Sequence, residues 1–81
     1  MLYVAAHLHF MEQFKKTING IEFEFQGITE GPDEVCRVRA ENQQFKMTTD
    51  DEGNWQILQQ VPTWVKSLEK DLGDAIDEAY N

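Results

Sequence analysis

Five of the seven basic side chains, Lys15, Lys16, Arg37, Arg39 and Lys46, fall in stretches that alternate like β-strands. Glu22 and Glu24 are interleaved with phenylalanines in the same region. On paired strands, Lys15, Glu24, Arg37, Arg39 and Lys46 would share one sheet face, with Glu22 and Gln56 beside them. These five residues form the candidate binding surface, and an anion or small ligand is what it would take. A solvated ladder of opposite charges is the simpler account, and such exposed pairs contribute little stability. Nucleic acid is not expected here. A single-stranded partner wants aromatic rings to stack its bases, and the outward positions carry none.

Other constellations reduce to structural roles. His7 and His9 would point the same way from a strand, giving two metal ligands where a structural site takes four. The one cysteine, Cys36, falls on an inward position, so any remaining ligands would have to be carboxylates. No metal is expected. The run Asp50-Asp51-Glu52-Gly53-Asn54 superficially resembles a calcium loop. That loop needs glycine sixth and a bidentate glutamate twelfth, whereas counting from Asp50 these positions hold Trp55 and Val61. It reads instead as a hairpin turn.

A nucleophilic Cys36 would need a base and an electropositive, exposed setting, and alternation sends Arg37 and Arg39 to the other side. Ser67 is the single serine and lies mid-helix, and no glycine-rich phosphate loop is present. One sheet and one helix leave little room for a ligand cavity of roughly 300 Å3 or more. The expectation is therefore a non-enzyme, with no catalytic residue and no cofactor.

The elements that must position these residues are legible from spacing. Val61, Trp64, Val65, Leu68, Leu72, Ala75, Ile76 and Ala79 recur with a period of about 3.6 residues, predicting a helix over 61–80. Pro62 suits its first position, where a missing N–H costs nothing. Gly73 is unfavourable inside it by ~1 kcal/mol relative to alanine, unless the helix crosses a bulky sheet residue there. Asn19-Gly20 between Ile18 and Ile21 predicts a two-residue hairpin. It pairs Lys16 with Phe23 and Phe14 with Phe25 on the core face, and Lys15 with Glu24 outside; Lys16 must then snorkel past Phe23. Gly27 to Asp33 reads as a loop, and Glu34 to Glu41 as a strand with Cys36, Val38 and Ala40 inward. A turn at Asn42 returns through Phe45, Met47 and Thr49. A three-residue loop ending at Gly53 sets Trp55 opposite Thr49 and Ile57 opposite Met47. Trp55 and Trp64 should then mark the centre of the core, where sheet meets helix.

Eighty-one residues make a single domain, 1–81, of the α+β class. Residues 12–58 form an antiparallel meander of about five strands, and one C-terminal α-helix packs on one face. Residues 1–10 alternate Leu2, Val4, Ala6, Leu8 and Phe10 against polar or small partners. They read either as an edge strand or as a frayed extension ahead of Met11. A net charge of −8 repels nucleic-acid backbones and anionic membranes. No stretch is apolar enough to span a bilayer, and the N-terminus makes a poor signal peptide. With one cysteine, the cytoplasm is the expected compartment. Association is the expected activity: Leu2, Val4, Leu8 and Phe10 are the candidate dimer segment, making a homodimer or engaging another protein.

Overall fold

In the computed structural model, residues 13–31 and 33–80 are described. His7, His9 and the candidate dimer segment Leu2, Val4, Leu8 and Phe10 lie outside them. Five strands run in chain order across one antiparallel sheet: β1 (Gln13–Ile18), β2 (Ile21–Glu30), β3 (Asp33–Ala40), β4 (Gln43–Thr49) and β5 (Trp55–Ile57). Two helices follow, α1 (Thr63–Lys66) and α2 (Glu69–Tyr80). This is the expected α+β meander with its C-terminal helical layer.

Turn chemistry sets the register. Asn19 and Gly20 both adopt positive φ (53° and 78°), as a two-residue hairpin of this hand demands. The pairs Ile18–Ile21, Lys16–Phe23, Phe14–Phe25 and Lys15–Glu24 follow directly. Gly53 (φ 86°) closes the last hairpin, placing Thr49 opposite Trp55 and Met47 opposite Ile57. Asp50 stiffens that loop, its carboxylate accepting the amides of Glu52 and Asn54 at 2.9 Å each. Those hydrogen bonds, that of Asn54 first, hold its carboxyl below the usual range.

The second hairpin is longer than the loop expected over 27–33. β2 continues to Glu30 and pairs out to Asp33, with Gly31 (φ 60°) between them. Gly27 is buried opposite Cys36, and the β-branched Ile28 and Thr29 carry the strand onward. A glycine read as a loop signal is here a strand residue on the core face.

Parity then builds the core. Phe23, Phe25, Cys36, Val38, Phe45, Met47 and Ile57 face Val65, Leu68, Leu72, Ala75 and Ile76, all buried. Each large side chain so buried contributes roughly 1.5–3 kcal/mol. Phe14 extends the layer, stacked on Phe25 with ring centroids 4.6 Å apart. Lys16 snorkels as expected, its Nζ reaching Glu78 Oε1 on α2 at 3.1 Å.

The single helix expected over 61–80 is broken once. Ser67 Oγ donates to the Trp64 carbonyl at 2.9 Å, and the Leu68 amide turns to Val65 O instead. A hydroxyl competing for a helix carbonyl explains the break between α1 and α2. Pro62 sits one position earlier than expected, as the N-cap whose carbonyl receives the Val65 and Lys66 amides. The tryptophans do not mark the core's centre. Trp64 is 36 % exposed and only tilts against Phe23, while Trp55 lies on the edge strand with its Nε1–H given to Asp77 at 2.9 Å.

Gly73 crosses that edge tryptophan. A Cβ built on it would meet Trp55 Cβ at 3.0 Å, closer than side chains normally approach. Gly73→Ala should therefore forfeit the ~1 kcal/mol that alanine offers a helix and lose about 1 kcal/mol net to overpacking. Denaturant unfolding checks this, and a gain in stability would mean that Trp55 moves aside freely.

Candidate functional site

The outer sheet face carries every residue of the candidate binding surface, but the structure divides them. Glu24 stands between two cations, with Arg39 Nη2 at 2.6 Å and Lys15 Nζ at 3.7 Å. The hydrogen bond and charge of Arg39 hold its carboxyl below the usual range. Lys46 turns from its strand to Glu30, spanning β3 at the level of Val35. Val35 is only 3 % exposed although its parity is outward, which alternation alone did not anticipate.

Arg37 differs from its neighbours. Lys15, Lys16, Arg39, Lys46, Lys66 and Lys70 each reach a carboxylate within 4 Å. Among the described residues, Arg37 alone of the seven basic side chains has no such partner. Its Nε is buried and makes no hydrogen bond. In the register it lies between Gln26 on β2 and Lys46 on β4. A small recess of about 60 Å3 opens beside it, lined also by Gln13, Glu24, Arg39 and Gln44.

The sheet edges form the second feature. At β5 the outward amide of Ile57 donates to Glu69 Oε2 at 2.7 Å, and Lys66 Nζ reaches the same oxygen at 3.1 Å. Where β5 ends, Gln59 Oε1 takes the Lys46 amide at 2.7 Å and replaces a missing ladder carbonyl. Side chains thus blunt this edge. At β1, the hairpin makes Ile18–Ile21, Lys16–Phe23 and Phe14–Phe25 the hydrogen-bonded pairs, so Gln13, Lys15 and Thr17 direct their main-chain groups away from β2. Among the described residues no strand pairs with that side of β1.

Sequence reasoning missed Glu69, Gln59, Glu30 and Asp77. Each acts through a tertiary contact, and only the need of the Trp55 indole for a partner gave any signal. Cys36 is buried, and burial pushes its thiol up to about 12 despite a hydrogen bond from the Gln26 backbone. It stays a neutral packing group at ordinary pH. Among the described residues, no helix is long and apolar enough to cross a membrane.

Glu69 links the sealed edge to pH. The Ile57 amide, and after it Lys66, holds the Glu69 carboxyl below its ordinary value of 4.5. A depressed carboxylate stabilises the fold above its unfolded pKa, and that stability disappears as pH falls through the folded value. Glu69→Gln keeps an acceptor for Ile57 but cannot titrate, so its stability should fall less steeply than wild type between pH 5 and pH 3. Glu69→Ala, leaving the amide unmet, should cost about 1–2 kcal/mol at pH 7. Urea unfolding across pH measures both, and identical acid limbs for wild type and Glu69→Gln would contradict the assignment.

Comparison with protein-family models, curated proteins and solved structures finds no match to this chain.

Proposed function

We propose that this chain is a non-enzymatic protein-interaction module of the cytoplasm that works as a homodimer. The observation that carries the reading is the asymmetry of the sheet: Glu69 takes the outward amide of Ile57 on β5 and Gln59 takes the Lys46 amide of β4 just beyond it, whereas β1 presents the main-chain groups of Gln13, Lys15 and Thr17. An edge of this kind is a template for another strand. A second copy supplies one with the right geometry. Antiparallel pairing about Phe14 sets Gln13 opposite the second copy's Lys15 and avoids opposing lysines. It also continues the inner row Phe45, Val38, Phe25 and Phe14 across both sheets. The buried, unpaired thiol of Cys36 fits a reducing compartment.

The other candidate use, an anion held by the whole outer face, is weakened by the ion pairs that occupy Lys15, Arg39 and Lys46. Salt separates the two. Strand pairing should be nearly insensitive to ionic strength, while anion binding should weaken steeply.

Lys15→Pro tests the edge, because it deletes an outward N–H that the β1–β2 ladder does not use. Light scattering after size exclusion at roughly tens of micromolar should find a dimer for wild type and for Lys15→Ala, and a folded monomer for Lys15→Pro. A wild-type monomer, or a Lys15→Pro dimer, would refute the proposal.

A further inference from the structure

We infer that Arg37 is the anchor of a carboxylate-binding site on the outer sheet face, independent of how β1 pairs. The chain carries fifteen acidic residues against seven basic ones, so an unpaired arginine is the exception in this molecule. Arg37 is that exception among the described residues, and it sits on the central strand of five. Its Nε has been taken out of contact with solvent without receiving an acceptor, a costly state for a charged donor. Directly across β3–β4 stands Lys46, and like charges opposite each other destabilise a sheet. Lys46 escapes toward Glu30; Arg37 has no such outlet. A carboxylate seated in the recess would supply the counter-charge that the Arg37 guanidinium lacks.

The recess selects the class of anion. A guanidinium fork matches the two oxygens of a carboxylate. The amides of Gln13, Gln26 and Gln44 line the same recess and add neutral donors. Its volume of about 60 Å3 suits one small planar group rather than a large ligand. Glu24 on its rim and the net charge of −8 act against a dianionic phosphate. The carboxylate can come from a free organic acid or from a glutamate of another protein, since the recess meets the same two oxygens in both.

The test is a titration of the full chain followed by 1H–15N NMR, reading the Arg37 Nε–H and the side-chain amides of Gln13, Gln26 and Gln44. The probes are sodium acetate and a short capped peptide with one glutamate, with sodium chloride and sodium phosphate at matched ionic strength. Saturable shifts of these signals by acetate, with a Kd on the order of millimolar, are expected. A shift by the peptide alone would still support the site and assign its source to a protein. Arg37→Lys should weaken binding roughly tenfold or more by losing the fork, and Arg37→Gln should abolish it. Lys70→Gln, an equal charge change on α2, should leave binding as in wild type, and circular dichroism verifies that each variant is folded. The site is overturned if neither carboxylate probe shifts the Arg37 signal beyond chloride. It is equally overturned if phosphate binds more tightly than acetate, or if a folded Arg37→Gln binds like wild type. Light scattering on the same samples keeps this result separate from that for the β1 edge.

Discussion

The contact between the Glu69 carboxylate and the Ile57 amide ties the two layers of this molecule together. It lies at the first residue of α2 and on the last strand of the sheet. By accepting an edge N–H, Glu69 joins the start of α2 to the last strand. From there α2 passes over Trp55 at Gly73 and reaches Lys16 on β1 through Glu78. A helix of this length is marginal in water, so its path depends on such anchors as well as on its buried stripe. The two margins of the sheet differ: Glu69 takes an outward amide of β5, and among the described residues no strand pairs with the outer side of β1.

That division also organises the charges. The outer face holds no free cation pool, since Glu24 and Glu30 take three of its four basic side chains. What distinguishes the face is the central arginine these glutamates leave aside. Among the described residues Arg37 is the one basic side chain without a carboxylate partner, and the neutral, buried thiol of Cys36 packs in the core.

Most of the architecture could be read from the chain because its turns are chemically explicit. Asn19-Gly20 and Gly53 adopt the positive φ that their types allow at low cost, and each fixes a register that repeats every second residue. The inner face from Phe23 to Ile57 follows from those positions alone. Contacts between residues distant in sequence were not legible. Ser67 breaks a helix whose apolar period continues unbroken, since its hydroxyl competes with the backbone without altering that period. Gly27 stays in a strand because Cys36 pairs with it. The outer-face residues share one face by register, yet which carboxylate each cation takes depends on reach across strands. The isolation of Arg37 follows only once all those choices are known.

Concentration-dependent amide hydrogen exchange tests the unequal edges most directly, because it reads single backbone donors on both margins at once. The Ile57 amide should be protected at every protein concentration, whereas the Lys15 amide should become protected only as concentration rises. Rapid exchange at Ile57, or protection at Lys15 that does not vary with dilution, would contradict the account.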